Sequence, residues 1–241
     1  ILSYLNQKGR KGEIIHGSTD YISSRIKILS KVSTARKKLN GQRVGVIGKP
    51  SDWLISSDVD KSKAKEVLGM DIIDIEIDEL VNKFNRNKTY QLSAELESMK
   101  TDMLRNATEK VKSYADGAFR IYVALKEIVN KHNLSALTLR CFDLLDRIGN
   151  TGCLALAILN AEGIPAGCEG DVPTLLTMCV GNALTGQSGF QANPSRIDPE
   201  SGEILFAHCT IPFNMINSFH FNTHFESGIG IAIQGDMPIG E

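Results

Sequence analysis

The chain is short of the features that mark several whole classes of protein. Its five cysteines, Cys141, Cys153, Cys168, Cys179 and Cys209, are odd in number, form no C-x-x-C pair, and each lies in an apolar stretch. That argues against a disulfide framework and for reduced, buried thiols in a cytoplasmic protein. No apolar run reaches transmembrane length and no signal-peptide pattern is visible. The formal net charge is −1, which removes any global attraction to nucleic acid or to an anionic membrane. Internal repeats and low-complexity segments are missing too. So are the common nucleotide and zinc signatures. Gly45-x-x-Gly48-Lys49-Pro50-Ser51 has the wrong spacing for a phosphate loop and is not G-x-G-x-x-G. His220-x-x-x-His224 lacks the glutamate of H-E-x-x-H and lies in a run that alternates like a strand, so it is not read as a zinc pair. The chain opens at Ile1 without methionine and stops at Glu241 soon after a strand-like run; both ends read as those of a fragment of a longer chain.

What is present is an ordinary globular composition, 42% hydrophobic and 23% charged. The charge is unevenly placed. From Thr151 onward there are nine acidic residues and one basic residue, Arg196, whereas the first 150 residues hold 19 acidic and 26 basic ones. The C-terminal part is therefore a plausible home for a cation, or simply a more acidic surface. Hydrophobic periodicity predicts helices over residues 20–39, 61–68, 77–84, 152–161 and 172–184, and two more within 90–131. Strands are expected at 43–48, 71–77, 134–142 and 164–168, with a short extended run at 13–16. Strand–helix alternation of this kind marks a doubly wound parallel sheet. After Gly186 short β-like runs at 189–192, 204–211, 220–225 and 229–234 alternate with turn signals. The fold class is thus α/β, a doubly wound (Rossmann-like) parallel sheet followed by an incomplete, mostly-β domain. The expected division is 1–40 as the end of a preceding domain and a connecting helix, 41–185 as an α/β domain, and 186–241 as the start of a β domain.

Several polar groups fall where such a sheet binds ligands, at strand carboxyl ends. Cys168-Glu169-Gly170-Asp171 joins a strand to a helix. Carboxylates there can hold a hard cation or move a proton. Asp171 also suits the start of the helix, an explanation that serves Glu169 less well. Arg140 and Asp143 close another strand and are candidates to meet a substrate, or to pair with each other. Trp53, with Ser51 and Asp52, lies in a loop after the first strand and is a further substrate-facing candidate. His208 follows a strand-like run, and Asn193-Pro194 follows another and carries a turn signal.

Three segments in order, Gly167-Cys168-Glu169-Gly170-Asp171, Phe190-Gln191-Ala192-Asn193-Pro194 and Ala207-His208-Cys209-Thr210-Ile211-Pro212, resemble the metal-site segments of the L-fucose isomerase and L-arabinose isomerase family. The run from Val44 to Leu54 is similar to the opening of that family's second domain. His224-Phe225-Glu226-Ser227-Gly228 resembles its C-terminal β domain, nearest to the fucose-isomerase-like branch. The resemblance implies carbohydrate metabolism by aldose–ketose isomerisation through an enediol. A divalent cation, most often Mn²⁺, chelates two sugar oxygens while two acidic groups move the proton. It implies Glu169 as metal ligand and acid/base, His208 as metal ligand, and Asn193 at the position of a second metal-binding and catalytic carboxylate. Asn193 departs from the pattern, because an amide coordinates a cation but is no general base. Asp171 and Glu226 are the candidate replacements. The partners implied are a small-molecule sugar and further copies of the chain, with a hexamer as the family's assembly. The alternatives are a non-catalytic sugar-binding relative, or a different metal-dependent reaction on a sugar derivative such as a phosphorylated or sulfonated one.

Overall fold

The computed structural model describes residues 1–55, 57 and 59–240; Glu241, the last residue of the expected β domain, lies outside them. Four parallel strands form the central sheet: β1 (Arg43–Ile47), β2 (Asp71–Ile75), β3 (Ala136–Leu139) and β4 (Ala166–Cys168). Their order is β2-β1-β3-β4. The chain leaves β1 for one side of it and later returns to the other side. The carboxyl ends of β1 and β3 therefore flank a topological switch, where side chains from two diverging loops can face one crevice.

Both faces of the sheet are covered, which is why β1 and β3 read as nearly continuous apolar runs. On one face α2 (Thr19–Leu39) and α9 (Val172–Thr185) press Ala35, Leu39, Leu175 and Cys179 against Val44, Met70 and Ala136. On the other lie α4 (Ile77–Arg86), α6 (Glu109–His132) and α8 (Cys153–Ala161). They bury Leu80, Phe119, Leu125, Leu154 and Ile158 with Ile47, Ile75, Leu137 and Leu139. The remaining helices are α1 (Leu2–Gln7), α3 (Lys61–Leu68), α5 (Ala94–Asn106) and α7 (Asp143–Ile148). Local signals place the helix ends. Ser18, Asp60, Ser93 and Thr108 each accept a backbone N–H at a helix start, and Gly69, Asn133, Gly149 and Gly186 end helices in the left-handed conformation. No helix of the described residues is long and apolar enough to cross a membrane.

Beyond α9 the chain forms two antiparallel ribbons, β5 (Asn193–Asp198) with β6 (Glu203–Ala207) and β7 (Ser218–Asn222) with β8 (Ala232–Asp236). The mixture of a parallel sheet with small antiparallel ones is the expected class, but several boundaries move. β3 stops at Leu139, and Asp143 opens α7 instead of closing a strand. The apolar residues after Leu139 mislead because Leu144 is buried from a helix. Residues 189–192 are not a strand. The strand there starts at Asn193, read as a turn, and carries Pro194 beside a bulge, a position an edge strand tolerates.

Candidate functional site

Residues at the carboxyl ends of β1, β3 and β4 build the site. The turn after β4 is unusual. Glu169 has φ +63° and Gly170 +68°, opposite a β1 loop in which Gly48 and Lys49 have φ +94° and +85°. Left-handed backbone is natural for glycine and costly for glutamate and lysine. Strain of this kind persists where surrounding structure overrides it. Here Ser51, itself buried, donates its hydroxyl to the Glu169 carbonyl. The Gly170 N–H donates to the Leu139 carbonyl at 3.2 Å and the Asp171 N–H to the Cys168 carbonyl at 3.1 Å. Asp171 is the N-cap of α9. It accepts the Thr174 N–H at 2.9 Å and the Thr174 hydroxyl at 2.6 Å, so both its oxygens serve the helix start.

β4 is the edge of the sheet, and side-chain amides meet its outer backbone: Asn160 at Ala166 and, at Cys168, Gln191. Its Oε1 accepts the Cys168 N–H at 2.7 Å, and its Nε2 reaches the Cys168 carbonyl at 3.5 Å. One buried side-chain amide thus stands in for a fifth strand at the residue before Glu169. This is what residues 189–192 do instead of forming a strand. No periodicity signals it. Gln191→Leu should cost about 1–3 kcal/mol by leaving a buried N–H unpaired, a loss measurable in urea unfolding; an unchanged midpoint would deny Gln191 this part.

The Glu169 carboxylate meets His208, with Oε1 3.7 Å from Nε2 and side-chain exposures of 17% and 5%. Burial works against a charged His208. The neighbouring Cys209 and the Glu169 carboxylate outweigh it and raise the imidazole to about 10. Nδ1 of the same ring lies 3.0 Å from the Thr210 hydroxyl, which fixes the ring's orientation. Beside them a cleft of about 330 Å³ is lined by His208, Phe190, Phe206, Thr223 and Phe225 among others. Asn193 is exposed on β5, paired in register with Ala207. It is thus near His208 along the ribbon, but no bond joins its side chain to Glu169 or His208.

Arg140, Asp143 and Trp53 form a second group. The Arg140 guanidinium donates to the Pro50 carbonyl at 3.0 Å, to Asp52 at 2.9 Å and to Asp143 at 3.0 Å. It therefore latches the β1 loop to α7. The two carboxylates raise the guanidinium above its ordinary range, the hydrogen bond it donates to Asp52 foremost, and Asp52 is lowered in turn. Trp53 is half exposed, with Arg140 over its ring at 5.3 Å and Phe142 edge-on at 5.6 Å. Phe142 then meets the His224 ring edge-on at 5.8 Å. The two histidines of the 220–224 run part company: His220 is exposed in β7, whereas His224 lies beyond the strand end and is buried. Glu226 is exposed.

All five cysteines are free and buried, as their apolar settings led one to expect. Four of them, however, gather behind Glu169 and His208. Cys141 and Cys168 have their sulfurs 2.7 Å apart. Cys153, Cys209 and His224 offer three ligand atoms all within 4.8 Å of one another.

A carboxylate against a buried imidazole at the carboxyl edge of a parallel sheet suits cation binding and proton transfer. Sulfoquinovose isomerase of Alkalicoccus urumqiensis is 25% identical over 191 residues, 78% of this chain and 42% of that protein. Sulfoquinovose isomerase of Priestia aryabhattai is 23% identical over 237 residues, 94% of this chain and 52% of that protein. Sulfoquinovose isomerase of Clostridium sp. (strain MSTE9) is 35% identical over 95 residues, 39% of this chain and 21% of that protein. The chain spans about half the length, or less, of these curated relatives. Residues 54–185, more than half of the sequence, match the model of the L-arabinose isomerase central domain, and the chain belongs to that family.

Proposed function

We propose that this chain carries the proton-transfer half of a metal-dependent aldose–ketose isomerase whose substrate is a sulfonated hexose of the sulfoquinovose class. The observation that supports this most is Glu169, held in a strained turn with its carboxylate against His208. The relatives' names supply the substrate class.

The donor set fits a hard cation of the Mn²⁺ class. Carboxylate oxygen and imidazole nitrogen are the ligands such ions take. Two ligands each about 2.1 Å from one ion lie within about 4 Å of each other, and the 3.7 Å between Glu169 and His208 meets that. Asn193 is the proposed third donor, brought in from the exposed ribbon when substrate and cation bind. A cation bound there would polarise the sugar carbonyl and acidify the neighbouring hydroxyl.

The protein's own groups do the rest. Glu169 removes the proton from the hydroxyl-bearing carbon and returns it to the adjacent one, while the proton of that hydroxyl passes to the neighbouring, former carbonyl oxygen. Asp171 is committed to α9 and Asn193 has no useful acidity. Glu169 is therefore proposed to work alone, from one face of the enediol. The two carbons are bonded neighbours, so one carboxylate can reach both. Trp53 offers the exposed part of its ring to the sugar's C–H face, and Arg140 holds that loop against α7. Ile197, Ile204, Leu205 and Phe206, uncovered on β5 and β6, support association of several copies of the chain.

The test is incubation of the full-length protein with Mn²⁺ and sulfoquinovose deuterated at C2. The expected result is ketose with part of the label at C1, since a single base exchanges only some of its deuterium with water. Complete washout would instead favour two acids on opposite faces. A sugar-binding relative without turnover is the second reading, favoured by Asn193 at the carboxylate position; no ketose together with sugar binding in calorimetry would establish it.

A further inference from the structure

Behind the Glu169–His208 pair lies a set of groups of different chemical character that the proposed isomerase mechanism leaves unused. Cys153 is the first residue of α8, Cys209 follows His208 after β6, and His224 follows β7. All three are buried, with ligand atoms within 4.8 Å of one another. Ligands at the distances typical of zinc, about 2.3 Å for sulfur and 2.0–2.1 Å for nitrogen, fall inside that span. Two thiolates and an imidazole are what a soft or borderline ion selects, and what Mn²⁺ does not.

From these residues we infer a second metal site, specific for a zinc-class cation, that pins the start of α8 to the segments after β6 and β7. The Thr151 hydroxyl, two residues before Cys153, is buried without a hydrogen-bond partner. A metal-bound Cys153 sulfur would accept from it and remove the orphan, the way outer groups complete thiolate sites. The segments joined are distant in sequence, and Cys153, Cys209 and Ala232 form a small buried cluster where they meet. The ion would thus hold Cys209, and with it the adjacent His208, in register with β4.

The site is tested with the reduced, metal-stripped full-length protein titrated anaerobically with Co²⁺. The expected result is a thiolate-to-cobalt charge-transfer band with the visible bands of a tetrahedral ion, abolished by Zn²⁺. Cys153→Ser should lose the charge-transfer band, and His224→Gln should weaken binding at least tenfold. Cys179→Ser, whose buried sulfur lies across the sheet against α2, should behave as the parent. Glu169→Gln should also keep the band, which separates this site from the isomerase reading. No thiolate band in the parent protein, or a band that survives both Cys153→Ser and His224→Gln, would overturn the assignment.

Discussion

Glu169→Gln is expected to lower kcat for isomerisation by about 10²–10⁴-fold, the range removed with a general acid/base, while the fold persists. The amide keeps the side chain's size and cannot take a proton. Two further substitutions read the backbone beneath it. At φ +63° an alanine bears the left-handed penalty and a glycine does not. Glu169→Gly should therefore be more stable than Glu169→Ala by about 1 kcal/mol, the reverse of their order in regular structure. Both lose the carboxylate and its contact with His208 equally, so the difference isolates the turn. Urea midpoints measure it, and Ala above Gly would show that the turn is not strained. Stability and proton transfer pull in opposite directions at this residue, as they do where a functional group is held in unfavourable backbone.

The parallel sheet could be read from the sequence because burial on both faces leaves a direct imprint. Val44, Val46 and Ile47 in β1 and Leu137 and Leu139 in β3 are apolar since helices cover each side. The helices were legible for a like reason, through apolar spacing and capping residues. The C-terminal ribbons were not placed so well. Every residue of β6 is exposed, as are all but Asp198 in β5, so no inward face imposes a period of two and the register slips unseen. His224 was assigned to a strand face for want of that signal. It is instead buried beside Cys209, a partner 15 residues away. Glu169 stood out because a strand end followed by glycine is a local pattern. Gln191 and the thiol cluster arise from convergence of separate segments, which no spacing encodes.

The second large effect belongs to Gly170, because two loops meet there with backbone against backbone. A Cβ on Gly170 would sit 2.4 Å from the Lys49 carbonyl oxygen, 3.1 Å from Pro50 Cα and 3.2 Å from the Ser51 nitrogen. None of these is a side chain that can swing away. Gly170→Ala must also adopt φ +68°. Backbone strain and overpacking each cost about 1–3 kcal/mol, so a loss on the order of 3 kcal/mol is expected. The damage should extend to activity. Moving the β1 loop breaks the bond from Ser51 to the Glu169 carbonyl and pulls the Pro50 carbonyl from Arg140. The proper comparison is Gly186→Ala at the end of α9. That glycine has φ +72° with nothing within 4 Å of its added Cβ. It should lose about 1 kcal/mol and leave turnover unchanged. Thermal melts and kcat for the two variants separate a left-handed backbone from a close approach. If Gly170→Ala proves no more costly than Gly186→Ala, the β1 and β4 loops do not touch, and the crevice holding Glu169 is wider than the structure has it.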